Sequence, residues 1–408
     1  MNTRKHPRSL IEFIIMLAFM ISIVAMATDV MLPALDIIAK DLSITNSNDS
    51  QFVISSLFLG FAVGQLFVGP LSDSFGRKPV VYVSYAIFII GCLLAIFATD
   101  FSILLAGRVL QGLGVAGPRI ISVAIVRDGY EGREMARIMS FIMAVFIIVP
   151  AIAPAIGQVV IYASGWRATF GLLLIMGIIS SIWFAIRQPE TLAETARRQF
   201  SVSNISNGVV EFFKNRSTIG YTIASGLIFG PFLGYLSSAQ KVFQNIYGTD
   251  SYFALYFGIA AIALGAASLL NSMLVMRLGM QFLTLRALLG VIVASALFMI
   301  PVLQAGSAPP FWAFMLWILV TFFCIGILFG NLNALAMEPL GDMAGLGAAL
   351  VGAISTFIAL PIGWAVSDSI TSDVLPLVLG FLTFGFMAFL FTCWARKKPS
   401  PSVLLREL

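Results

Sequence analysis

Twelve long apolar runs, each able to cross a lipid bilayer, leave this chain few ways to fold. A spanning helix needs about 20 predominantly apolar residues. The runs fall at approximately 10–35, 51–71, 79–98, 101–126, 135–161 and 166–187, then at 217–240, 252–276, 284–304, 309–335, 345–369 and 373–395. Inside lipid only helices and closed barrels satisfy their own backbone, and barrel strands alternate polar with apolar residues. These runs do not alternate. The expected fold is therefore all-α and membrane-integral, and the composition agrees. Of 408 residues, 59% are hydrophobic and 11% charged, against about 25% charged in a soluble domain.

Polar punctuation divides the runs into two sets of six. The longest polar stretch, 188–216, is rich in Arg, Glu, Ser and Asn and stands midway along the chain. The expected organisation is a six-helix bundle over 1–187, a cytoplasmic linker over 188–216, a second bundle over 217–395 and a cytoplasmic tail over 396–408. Charge sets the orientation. With the N-terminus inside, cytoplasmic loops and tails hold nineteen of the 24 Lys and Arg residues, whereas outer loops hold only Lys40, Arg167 and Lys241. The positive-inside rule thus puts both termini in the cytoplasm. The basic excess, a net charge of +5, belongs to membrane-flanking loops and does not argue for nucleic acid. Ala25-Met26-Ala27 imitates a signal-peptidase site, but the preceding run is too long and contains Glu12, so an uncleaved first span is expected.

Several chemistries are excluded by what the chain lacks. His6 is the only histidine, so catalysis or metal binding through two histidines is ruled out, and no metal site is expected. Cys92, Cys324 and Cys393 all lie in apolar runs and imply neither disulfides nor zinc. Gly112-Leu113-Gly114-Val115-Ala116-Gly117 has the spacing of a dinucleotide fingerprint, but it lies inside a span with no strand before it. Glycines there let helices approach closely, as do Gly60/Gly64, Gly226/Gly230/Gly234 and Gly326/Gly330. Gly76-Arg77-Lys78-Pro79 lacks the glycine spacing and the Ser or Thr of a phosphate loop. No nucleotide site remains, so no cofactor is expected, and energy comes from an ion gradient or from downhill flux.

Charges inside the spans are rare and therefore informative. Asp29 lies in the first span, roughly 10 Å outside its centre at 1.5 Å per residue. It shares a small and polar face with Ala18, Ser22, Ala25, Pro33 and Asp36. A proton-sensitive carboxylate is one reading; a carboxylate hydrated near the surface is the other. Arg108 in the fourth span stands at nearly the same height, so an Asp29–Arg108 pair would neutralise two buried charges. Breaking that pair would favour protonation of Asp29 and link proton uptake to movement; a static structural pair is the bland alternative. Arg119 lies three turns from Arg108 on almost the same face, with Gln111 between them. It either gives a cavity a positive wall or reaches the inner surface or Asp128. In the fifth span, Pro150 and Pro154 stand one turn apart before Gly157, and a bend is expected.

Gly69-Pro70-Leu71-Ser72-Asp73-Ser74-Phe75-Gly76-Arg77-Lys78 joins the second and third spans. It resembles the signature loop of the major facilitator superfamily, and Arg108, Gln111, Gly112 and Gly114 resemble that superfamily's fourth-span signature. Ile125-Val126-Arg127-Asp128, Ala27-Thr28-Asp29 with Leu32-Pro33-Ala34-Leu35, and Met337-Glu338-Pro339-Leu340-Gly341 are similar to the drug:proton antiporters of the bicyclomycin-resistance (Bcr/CflA) branch. The resemblance covers essentially the whole chain. It implies two pseudo-symmetric six-helix bundles that rock about a central cavity. It also implies a conformational latch formed by Gly69, Asp73, Gly76, Arg77 and Lys78 toward the eleventh span and nearby acidic residues, and a role for Arg108 in proton coupling. Three departures stand out. Ala153-Pro154-Ala155-Ile156-Gly157-Gln158 replaces the usual Gly-Pro-x-x-Gly-Gly, Arg119 occupies a place expected to be small or apolar, and Ile21 stands where some relatives carry a second carboxylate.

The expected function is proton-coupled export of small amphipathic molecules or drugs across a bacterial inner membrane, by a monomer and without catalysis. Asp29 and Arg108 are the expected coupling residues. Cavity candidates are Ser22, Gln111, Arg119, Pro154, Gln158, Gln240, Asn271, Asn331 and Asn333, with Phe and Met as apolar walls. A dedicated exporter of one metabolite, such as a siderophore or peptide derivative, is the nearer alternative. A passive channel or membrane enzyme is the remote one.

Overall fold

The computed structural model describes residues 10–44, 47–130, 132–197, 202–249, 252–305 and 308–396. The tails carrying Arg4, Lys5, His6 and Arg8, and Lys397, Lys398 and Arg406, lie outside the described residues. Among the described residues every regular element is helical. The first half contains α1 (Leu10–Asp29), α2 (Leu35–Asp41), α3 (Phe52–Phe75), α4 (Arg77–Ile96), α5 (Phe101–Gly129), α6 (Gly132–Ser164) and α7 (Arg167–Arg187). A connecting helix, α8 (Val202–Lys214), leads to α9 (Arg216–Gln240), α10 (Phe253–Leu278), α11 (Met280–Ala305), α12 (Phe311–Met337), α13 (Ala344–Ser369) and α14 (Leu375–Ala395). Eleven stretches among the described residues are long and apolar enough to span a membrane. The helix α6, with its apolar stretch Ile148–Ser164, accounts for the twelfth expected run.

The helices form two bundles. In the first, α5 packs against α3 and α4, while α1 packs against α5, α6 and α7. In the second, α9 packs against α12, α13 and α14, and α12 packs against α10 and α11. The bundles meet along α3–α13 and α6–α10. Small residues make the tightest of these contacts. A Cβ on Gly112 would lie 1.9 Å from the Leu57 carbonyl oxygen, and one on Gly60 would lie 2.0 Å from that of Val109. The backbones of α3 and α5 therefore touch, with no room for a side chain between them. Gly114 and Gly117 serve the same purpose against Phe88 and Ser84 of α4, so the glycine-rich stretch is a packing device, as its apolar setting required.

Two features depart from the sequence expectation. The first apolar run is not one helix to residue 35: α1 stops at Asp29, a short turn over Leu32–Ala34 follows, and α2 begins at Leu35. Pro33 explains the stop, because it has no N–H to continue the ladder. The polar linker is not featureless either. Its α8 is strongly amphipathic, buries Phe212, exposes Phe213, and packs on α9 and α13. The polar residues of 188–216 concealed that helix, whose apolar face needs only a few positions per turn.

Both ends of the broken first span are tied to α7. Glu12 accepts from Arg187 Nε at 3.0 Å and from Trp183 Nε1 at 3.5 Å. Asp41 accepts from Arg167 Nη1 at 2.6 Å and from Trp166 Nε1 at 2.9 Å. The break is thus held between two fixed points.

Gly112→Val should push the Leu57 carbonyl aside and destabilise the protein by about 3 kcal/mol. A thermal-shift measurement in detergent should show a midpoint several degrees lower. Gly171→Val, at a position where an added Cβ meets nothing within 4 Å, should leave the midpoint near that of the wild type.

Candidate functional site

Asp29 is the last residue of α1 and is 4% exposed. The chain turns immediately beyond it: the Val30 N–H still donates to Met26 O at 3.1 Å, and the Ala34 N–H donates to Met31 O at 2.8 Å. Against this turn lies α6. A Cβ on Gly157 would come 1.8 Å from the Val30 carbonyl oxygen, so Ala153-Pro154-Ala155-Ile156-Gly157-Gln158 seats directly on the break. The helix runs through Pro150 and Pro154 without interruption. Only Gly157 is required for the approach, and it is the glycine this chain retains of the usual pair.

The second half has a matching irregularity. At Gln240 the regular α9 gives way to a wider helical turn over Lys241–Ile246. Gln240 links the two irregular segments. Its Nε2 donates to Pro33 O at 3.3 Å and to Gln244 Oε1 at 2.9 Å, while its Oε1 accepts from the Asp36 N–H at 3.4 Å. Beside it, Ser367 of α13 donates to Gln51 Oε1 at the start of α3. These side-chain bridges close one end of the interface between the bundles.

The expected Asp29–Arg108 pair is not formed. Arg108 is fully buried; its Nε donates to Val53 O at 2.8 Å and its Nη1 to Gln111 Oε1 at 2.7 Å. The guanidinium also lies 5.9 Å from the Phe170 ring centre, and Gln111 in turn donates to Cys92 Sγ at 3.4 Å. The charge is held on α5 by neutral acceptors. Among the described residues Asp29 makes no ion pair or hydrogen bond. Similar height along two helices was a necessary condition for pairing, but the side chains take different directions. Across the interface, the buried and unpartnered Tyr235 hydroxyl of α9 lies within electrostatic reach of Asp29.

The Arg77 end carries a dense clamp. Arg77 is 3% exposed. It donates to Asp73 at 2.6 Å, Ser72 Oγ at 2.8 Å and Asp128 Oδ2 at 2.9 Å. Glu190 accepts the backbone N–H groups of Arg77 and Lys78, each at 3.0 Å, and so caps the start of α4. Gly76 makes this possible with a φ of +101°, which disfavours other residues. Lys78 Nζ reaches Ala185 O at 3.2 Å, and the Gly69 carbonyl accepts from Ser72 Oγ at 3.0 Å. These partners of Arg77 belong to the first half and the start of the linker. Of the expected latch, the bonds to nearby acidic residues are thus present, through Asp73 and Asp128, and none of these bonds reaches α13. Asp128 is taken by Arg77 and by Thr191 Oγ1 at 2.9 Å, while Arg119 is half-buried on α5.

The other cavity candidates divide. Asn271 and Asn331 satisfy each other across α10 and α12 through reciprocal amide bonds of 3.1 and 2.8 Å; they are interhelical fasteners rather than cavity groups. Ser22 donates to Ala18 O at 2.7 Å within its own helix. Asn333 is exposed on α12, Pro154 is buried and Gln158 half-buried on α6. Of these candidates Gln240 lines a cavity of about 590 Å³ at the Asp29 end between the bundles. Its walls contain neither Phe nor Met, unlike the apolar cavity that composition suggested. Gln51, Ser367 and Glu190 escaped the sequence reading because they lie at span ends, where polar residues are ordinary.

Comparison with known proteins places this geometry. The family model described as Major Facilitator Superfamily matches residues 17–363. A Bacillus subtilis protein named as an uncharacterized MFS-type transporter, YdgK, is 30% identical over 345 residues, covering 82% of this chain and 84% of the relative. The bicyclomycin resistance protein homolog of Haemophilus influenzae is 28% identical over 380 residues, covering 91% and 93%. Multidrug resistance protein D of Escherichia coli is 25% identical over 356 residues, covering 84% and 85%. Among solved structures, the E. coli xylose transporter XylE in a partially occluded inward-open conformation superposes with a TM-score of 0.73 at 14% identity, covering 94% of this chain and 96% of that one.

Arg77→Ala should leave Asp73 and Asp128 without their shared cation and destabilise the protein by roughly 3–5 kcal/mol. Thermal unfolding in detergent should report the loss, and Arg77→Lys should recover only part of it because one ammonium cannot reproduce the forked geometry.

Proposed function

Because the chain belongs to the major facilitator superfamily, and is therefore a multi-pass membrane transporter rather than an enzyme, we propose that it exports amphipathic small molecules in exchange for protons. The observation that carries this reading is Asp29: a buried carboxyl with no basic partner among the described residues, placed where α1 breaks and where α6 and α9 converge. A carboxyl so placed is able to lose and regain a proton as alternation exposes it to one side and then the other. Arg108, held by neutral acceptors, contributes a buried positive field without locking Asp29 in a pair. The names of the bicyclomycin- and multidrug-resistance relatives support drug-like cargo. Basic residues concentrated on the Arg77 side support cytoplasmic termini and a bacterial inner-membrane location, and the protein functions as a monomer. The narrower alternative, export of a single metabolite, draws support from the polar walls of the 590 Å³ cavity.

In the transport cycle, the first bundle moves as a unit stiffened by the Arg77 clamp. The bridges Gln240–Pro33 and Gln51–Ser367 must separate for the Asp29 end to open widely. Contacts along α3–α13 and α6–α10 persist as the surface about which the halves rock. Proton binding at Asp29 changes the charge beside the α1 break and biases which end opens.

Purified protein in proteoliposomes, assayed with a panel of amphipathic dyes and antibiotics, should accumulate some of them when a pH gradient is imposed. Asp29→Asn should reduce gradient-driven accumulation at least tenfold while retaining downhill exchange. Undiminished accumulation by this variant would remove Asp29 from the coupling mechanism.

A further inference from the structure

We propose that the cavity at the Asp29 end is a binding site in its own right, built for small zwitterions rich in carbonyl or hydroxyl oxygens. It deepens the exporter reading, for which it would be the release site, but binding itself requires no proton gradient. The walls come from both halves: α2 and the entry to α3 on one side, the end of α9 and α13 on the other. At about 590 Å³ it has the size of a small-molecule pocket.

Two polar groups on these walls lack partners. Gln51 is 3% exposed; its carbonyl is occupied by Ser367, which leaves the amide Nε2 as a donor with nothing to receive it. Ser237, 6% exposed on the opposite half, likewise has an unpartnered Oγ. Like a few other buried helical hydroxyls, Ser55 and Thr321 among them, this serine makes no hydrogen bond, but it alone of these lines the cavity. Helical serines in apolar surroundings normally donate to the carbonyl four residues earlier, as Ser22 does to Ala18, Ser122 to Pro118 and the adjacent Ser238 to Gly234. Ser237 does not. A buried donor without an acceptor is destabilising, and an oxygen-bearing ligand between the halves would give both groups a partner.

The charged residues around the cavity specify the ligand further. Asp36 and Lys40 stand on one wall and Lys241 on the other, where Ile370 O holds the lysine Nζ at 2.5 Å. With Asp368 also acting on Lys241, the cavity is bordered by carboxylates and ammonium groups together, which suits a molecule with a carboxylate at one end and an amine at the other. A purely apolar cation would find no aromatic wall here. Because the donors sit on different bundles, ligand bound between them also bridges the halves.

Trialanine is a suitable probe, with tetraphenylphosphonium as the contrasting apolar cation. Equilibrium binding of radiolabelled trialanine to the full-length protein in nanodiscs, without a gradient, should saturate. Gln51→Leu and Ser237→Ala should each weaken it roughly five- to tenfold, with thermal midpoints checked to separate lost binding from lost folding. Independently, trialanine should slow maleimide labelling of Ser43→Cys at the cavity wall. Absence of saturable trialanine binding and of protection would overturn the proposal. So would wild-type affinity in both substitutions, or preferential binding of tetraphenylphosphonium at the same place. Trialanine binding that responds to both substitutions, in a protein that drives no gradient-dependent export, would sustain the site and sink the exporter reading instead.

Discussion

Where α1 stops at Asp29, its terminal carbonyl groups lose their donors further along the helix, and the bilayer interior supplies no water in their place. The surrounding structure answers this requirement. Gly157 lets α6 lie against the Val30 carbonyl, and Gln240 donates to the carbonyl of Pro33 from the other half. The two ties to α7, through Glu12 and Asp41, hold both sides of the break. A backbone irregularity that lipid would forbid is thereby made into the meeting point of the bundles. The same arrangement places an unpaired carboxyl at that point.

The two ends of the molecule use polar groups differently. At the Arg77 end, charges are concentrated and satisfied within the first bundle, where they fix helix termini against one another. At the Asp29 end, neutral amides and hydroxyls bridge the bundles. Hydrogen bonds between neutral groups are weaker than those involving charges, so the second kind of contact separates more readily. Stiffness within a half and separability between halves are therefore assigned to chemically distinct contacts. The second bundle is an exception in chemistry though not in placement: its buried Asn271–Asn331 pair joins α10 to α12 with neutral amides.

Much of the fold was legible from length and composition, because lipid permits so few backbone solutions. The apolar runs located the spans, and the glycines of 112–117 identified close packing once their apolar setting was recognised. Pro33 signalled the end of α1, yet its place within a continuous apolar run hid the break, since hydropathy does not register a missing donor. At the site, the sequence singled out Asp29, Arg108 and Arg77 because charge is conspicuous in an apolar span. It did not reveal their partners. Helical phase gives a residue's height and face but not the direction of a long side chain, so Arg108 was matched to Asp29 when it reaches Val53 and Gln111. Neutral residues at span ends, Gln51 and Ser237 among them, carried no distinguishing signal at all. Their importance depends on which hydrogen bonds are absent, and that becomes visible only in three dimensions.

The Arg77 clamp also decides how much slack the chain has between its halves. Glu190 caps α4 and Thr191 binds Asp128, so the beginning of the linker is carried by the first bundle. The helix α8 packs on α9 and α13, so the end of the linker is carried by the second. The polar stretch is therefore divided between the halves: its start, through Glu190 and Thr191, belongs to the first bundle and α8 belongs to the second. Any movement of one half against the other is therefore accommodated between those two attachments, and not along the whole polar stretch.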